Sequence, residues 1–131
     1  MIPKKEPYST GYIKIWMKDG VVHTSYPPGL VITLDIAKQI VKDRIAYTEG
    51  KTYPGFADVR NGKKADYDAM KYWASPDSYS CLSALAVYSD SRLAKTFVNF
   101  WFKVDKPFKP SKYFTDKDKA YLFLNPFLFI N

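Results

Sequence analysis

Two strand-to-helix units follow one another in this chain, over residues 52–73 and 82–103. In the first, 53–59 (YPGFADV) runs into 60–64 (RNGKK) and then a helical pattern. In the second, 82–88 (LSALAVY) runs into 89–91 (SDS) and a longer helical pattern. Repeated crossovers of this kind require a largely parallel sheet with helices packed on it, and such sheets place ligands at the carboxyl ends of their strands. The expected working surface is therefore residues 58–64 together with residues 89–92.

The length of 131 residues fits one domain spanning 1–131, with 1–10 as an N-terminal tail and 125–131 as an apolar C-terminal tail. Hydrophobic residues make up 47% and aromatics 18%, which is ample material for a core and argues against intrinsic disorder. Cys81 is the single cysteine and His23 the single histidine, so neither an internal disulfide nor a usual metal site is expected. The first ten residues lack the apolar run of a signal peptide, and no stretch approaches the roughly 20 apolar residues of a bilayer span. These features point to a soluble, cytoplasmic protein. The net charge of +7 favours anionic partners at long range. The lysines are scattered and often sit beside acids, as in 116–119 (DKDK), so a solvated surface is the expected reading and nucleic acid is not an expected partner.

Along the chain, 12–18 (YIKIWMK) ends at Asp19-Gly20, a strong two-residue hairpin signal, and 21–26 is the return strand. Thr33 is a good N-cap for a helix over about 34–47, and Gly50 stands just beyond as a stop. Ile36, Ala37, Ile40 and Val41 share one face of that helix. Arg44 falls within the same apolar arc, and its stem is expected to cover the core edge while the guanidinium reaches water. The other reading is a salt bridge at the sheet or an anion contact. A helix over about 66–74 turns Ala69, Met70 and Trp73 inward, and 82–88 reads as a buried central strand. A further helix over about 91–103 carries apolar residues around more than half its circumference. A short strand at 113–114 precedes a last helix, opened by Thr115 with Asp118 as a capping box and stopping before Pro126. The order is β-β-α-β-α-β-α-β-α.

That order, with these landmarks, resembles the SpoIIAA-like proteins, a group related to STAS domains and to the CRAL-TRIO lipid-transfer fold. The residues carrying the resemblance are 37–44, 53–54, 57–60, 72–75, 84–91, 97–101, 106–110 and 113–115, and it covers roughly residues 11–124. It implies an α/β fold, a mixed sheet of four to five strands with helices packed on it. STAS domains of the anti-sigma-antagonist kind act through protein contacts and are switched by phosphorylating a Ser at the start of the helix after the third strand. Here that region is 60–66 (RNGKKAD), with no Ser or Thr, so the resemblance does not carry the switch over.

Two sites stand out. Arg60, Asn61, Gly62, Lys63 and Lys64 lie at one strand-to-helix junction, and Ser89, Ser91 and Arg92 at the next, where backbone N–H groups and cations could hold a phosphate, carboxylate or lipid headgroup. The plainer reading is a turn, solvated lysines and a helix cap. The second site is apolar. Phe100 and Phe102 on the helix, with Phe127 and Phe129 in the tail, exceed what one-sided burial needs, which points to self-association or to the tail folding back. Catalysis is not expected: Cys81 adjoins an apolar strand, the only His sits on the hairpin, and Asp58 is the one plausible acid, with capping or pairing to Arg60 as its ordinary roles. No cofactor is implied.

Two functions compete. One is a non-enzymatic regulatory or protein-interaction module, self-associating as a homodimer or bound to a protein partner. The other is a small-ligand or lipid-headgroup binder using the basic strand-end crevice and the aromatic helix. A deep apolar cavity beside residues 97–102 separates them, because a packed core there favours the interaction module.

Overall fold

The structure, a computed structural model, describes residues 7–61, 64–91, 98, 102–103 and 105–128. Its elements in chain order are β1 (Tyr8–Ser9), β2 (Lys14–Lys18), β3 (Val21–Ser25), β4 (Val31–Ile32), α1 (Leu34–Tyr47), β5 (Tyr53–Asp58), β6 (Lys64–Ala65), α2 (Tyr67–Trp73), β7 (Leu82–Tyr88), β8 (Ser111–Phe114) and α3 (Lys117–Leu124). A 3-10 turn, Asn125–Phe127, extends α3. Val98, Phe102 and Lys103 are helical and Ser91 is not, while residues 92–97 and 99–101 of the expected helix lie outside the described residues.

Local chemistry accounts for the element boundaries. Asp19 and Gly20 both take left-handed backbone, at φ 52 and φ 81, as a two-residue hairpin turn between twisted strands demands. Thr33 caps α1 by accepting from the Ile36 N–H, and Gly50, at φ 75, lets its N–H turn back to the Ile45 carbonyl. Asp66 caps α2 by accepting from the Ala69 N–H at 2.8 Å. At α3 the cap is Asp116 and not the expected Thr115. Residue 116 is still extended, and its carboxylate accepts from the N–H groups of Asp118 and Lys119 at 2.8 and 3.3 Å.

The main sheet has six strands in the order β1-β2-β3-β5-β7-β8, one more than the upper end of the expected range. The extra strand is β1, which pairs antiparallel with β2 from within the segment expected to be a tail. Pairings from β3 to β8 are parallel. A separate parallel pair, β4 with β6, ties the entry of α1 to the entry of α2. No sequence signal marks these two-residue strands, because two residues show no periodicity.

The sheet has two working faces. On one, α3 packs through Ala120 and Leu124 against Phe56, Ala84, Ala86 and Tyr88, the alanines letting helix and sheet approach closely. Phe127 and Leu128 pack on this same core, so the described part of the expected C-terminal tail folds back on its own chain. The other face is covered by α1 and α2, with Ile15, Val22, Ile40, Ala69 and Leu82 in its core. Among the described residues, no helix is long and apolar enough to cross a membrane.

Candidate functional site

On the α1/α2 side, the parallel register sets side chains from four strands in straight rows. Val22, Gly55, Leu85 and Ser111 form one row, and Thr24, Ala57, Val87 and Tyr113 the next. Gly55 and Ala57 are the smallest members and stand at the centre, so the rows sink between their larger neighbours. A shift in register between Tyr53 and Gly55 brings both Leu82 and Leu85 beside Gly55: a Cβ added there would lie 2.9 Å from Leu82 Cδ2 and 3.4 Å from Leu85 Cδ1.

Above these rows is a cavity of about 630 Å³. Ile40 and Val41 from α1, Met70 and Trp73 from α2, and Val98 with Phe102 complete its apolar wall. The volume falls in the range that holds small organic ligands, and the lining, mostly hydrocarbon with a few polar groups, is typical of such sites. The cavity follows the strands. At their carboxyl ends it reaches Val59, Arg60, Ser89, Asp90 and Ser91; at the amino end of β7 it reaches Arg44, Ser78 and Tyr79.

At the carboxyl ends, Asp58 engages Arg60. The Arg60 Nη2 donates to Asp58 Oδ2 at 2.7 Å, its Nε donates to the same carboxylate, and its backbone N–H donates to Oδ1 at 3.1 Å. Burial pushes the Asp58 carboxyl up, but these hydrogen bonds and the guanidinium charge outweigh it and hold the group below the usual carboxylate range. The guanidinium also lies over the Tyr88 ring, 5.3 Å from its centroid. The charge expected to bind an external anion is thus matched within the chain. Asn61 is an exposed turn residue whose carbonyl accepts from the Gly29 N–H, and Lys64 belongs to β6 opposite Val31. Ser89 is buried, and its hydroxyl accepts from the Ser91 N–H; the Tyr113 hydroxyl donates to the Ser91 carbonyl at 3.2 Å. Gly62, Lys63, Arg92, Phe100 and Phe129 lie outside the described residues. Phe102 lines the cavity, and Phe127 lies tilted beside Phe123 on the opposite core, with ring centroids 6.0 Å apart.

The amino end holds the residue the sequence placed wrongly. Arg44 does not reach water: it is 8% exposed. Its Nη2 donates to the carbonyls of Ser78 and Ser80 at 2.8 and 2.7 Å, so the loop before β7 wraps the guanidinium. The expected solvated head is not found, and among the described residues no carboxylate forms the alternative salt bridge. The surrounding titratable groups are the hydroxyls of Tyr26, Tyr72 and Tyr79 and the thiol of Cys81. The one sequence signal was its position inside the apolar arc of α1.

His23 is elsewhere. It lies buried on the α3 side, stacked with Trp16 at 5.3 Å and beside Phe56. Among the described residues no group of three His, Cys, Asp or Glu side chains converges as a metal centre would need.

Against known proteins, a family model described as a domain of unknown function, DUF7793, matches residues 15–128. A solved structure of an uncharacterised DUF3478-family protein with a SpoIIAA-like fold, from Shewanella loihica PV-4, superposes with a TM-score of 0.59 at 14% identity. The match covers 89% of this chain and 98% of that one, and at this identity it shows the fold alone. No curated protein matches the chain in sequence.

Proposed function

The chain belongs to the DUF7793 family, and we propose that it is a non-enzymatic binding module that holds a small apolar molecule in the sheet-face cavity. The observation that carries this reading is the 630 Å³ cavity lined by Val98 and Phe102, at the place where a packed core would have favoured a protein-interaction role. A ligand that fills a cavity of that size gains dispersion contacts with the side chains around it, and by binding the folded chain alone it stabilises the fold by mass action. The self-association reading draws less support. Phe102 borders the cavity and Phe127 packs on its own core, which removes two of the apolar side chains that motivated it. Binding is favoured over catalysis by placement: His23 stands on the opposite sheet face, and Asp58 is engaged by Arg60.

The test uses N-phenyl-1-naphthylamine, a neutral apolar probe that fluoresces on leaving water. Saturable binding near one probe per chain is expected for the native protein. Ala57→Phe fills the centre of the cavity floor and should abolish the signal while far-ultraviolet circular dichroism stays native. No saturable binding, or binding untouched by Ala57→Phe in a folded protein, would overturn the reading.

A further inference from the structure

Arg44 presents the cavity with a charge that nothing in the described chain matches. It is buried, it lines the cavity at the amino end of β7, and its Nε has no hydrogen-bond partner among the described residues. A guanidinium remains charged at any ordinary pH. Two carbonyls occupy Nη2, but carbonyls bring dipoles, not charge, and no carboxylate among the described residues pairs with it. A buried cation is ordinarily matched by an anion that also takes its remaining donors. Here that place adjoins hydrocarbon walls. The two features, an unmatched cation and an apolar channel leading away from it, define one kind of complement.

We infer that the ligand is a long-chain anionic amphiphile, with a carboxylate-like head accepting from Arg44 and a hydrocarbon tail lying over Gly55 and Ala57 toward the strand carboxyl ends. This rests on the cavity reading above and adds the orientation and charge of the ligand. The run of β7 from Leu82 to Tyr88 is about 20 Å long at ~3.3 Å per residue, enough for a single extended alkyl chain. The polarity is opposite to the one expected from the basic strand-end residues, since Arg60 is already held by Asp58 at that end.

The test displaces the neutral probe with three molecules sharing one tail: dodecanoate, dodecan-1-ol and dodecyltrimethylammonium, all below their micelle-forming concentrations. Dodecanoate should displace it at about tenfold lower concentration than the alcohol, because a charge-assisted hydrogen bond in a dry site is added, and the ammonium should be weakest. Arg44→Met should remove the gap between acid and alcohol. Because that substitution strands the Ser78 and Ser80 carbonyls and could prevent folding, a second measurement uses the native protein alone. The carboxyl resonance of 1-13C-dodecanoate, once bound, should titrate below its free value. Equal displacement by acid and alcohol, or a bound carboxyl that titrates at or above its free value, would overturn the inference while leaving the cavity reading standing. Failure of the neutral probe itself to bind would overturn both.

Discussion

The Nε2 of His23 lies 3.3 Å from the Tyr121 hydroxyl, a contact that joins the hairpin to the last helix across 98 positions of the chain. The Nδ1 stands 3.1 Å from the Val21 carbonyl, so it carries the ring proton and Nε2 is left to accept from Tyr121. Burial pushes the imidazole pKa below 6.5; the Val21 carbonyl opposes the shift without cancelling it. A proton therefore binds the unfolded chain more readily than the folded one. The stability this confers is complete above pH about 6.5 and declines as pH falls from there toward the lowered folded value. Urea denaturation between pH 7.5 and 5 should show that decline, and His23→Gln should flatten it. A slope unchanged by the substitution would assign it to other groups.

The docking of α3 makes Leu124 the best probe of the second core. It is 1% exposed and packs with Ala120 against the central strands. Leu124→Ala should cost about 2–5 kcal/mol of unfolding free energy, the usual range for a fully buried leucine. A loss well under this range in equilibrium urea unfolding would mean that α3 is not seated on the sheet as described.

At the strand carboxyl ends, the Asp58–Arg60 pair should prevent phosphate capture. Inorganic phosphate should leave the amide resonances of Arg60, Asn61, Ser89 and Ser91 in place in the native protein. Asp58→Asn frees the guanidinium and should produce shifts in all of them together. The substitution should alter stability by less than ~1 kcal/mol, since the pair is partly solvated. Concerted shifts in the native protein would restore the basic crevice as an anion site.

Gly55 tests whether the cavity is real space. An added methyl would press on Leu82 Cδ2, the far end of a flexible side chain that borders the cavity. Given that room, Leu82 can swing aside, and Gly55→Ala should cost less than ~1 kcal/mol. In a filled core the same overpacking costs about 1–3 kcal/mol. Thermal unfolding of the two forms separates these outcomes.

Much of this fold is written in short-range chemistry. Asp19-Gly20 can only turn a hairpin. Thr33, Asp66 and Gly50 bound their helices through single hydrogen bonds, and the apolar run at Leu82–Tyr88 places the central strand. The β4–β6 pair escaped notice because a two-residue ladder depends on a partner some thirty positions away, and the α3 cap moved one residue because Thr115 and Asp116 can both accept from a helix start.

The site was another matter. That Arg44 interrupts an apolar arc is visible in the sequence, but burial and exposure of its head are equally compatible with that position. The loop that closes over it decides, and its carbonyls at Ser78 and Ser80 come from more than thirty residues downstream. Likewise, Gly55 and Ala57 look like ordinary small residues of a strand. They become the floor of a cavity only because β3, β5, β7 and β8 align in parallel register, which sets Thr24, Ala57, Val87 and Tyr113 side by side. Composition and local pattern determined the elements, since caps, turns and strand cores act within a few residues. The cavity and its unmatched charge were decided by tertiary structure, because the volume between layers and the desolvation of a cation are properties of surfaces brought together from across the whole chain.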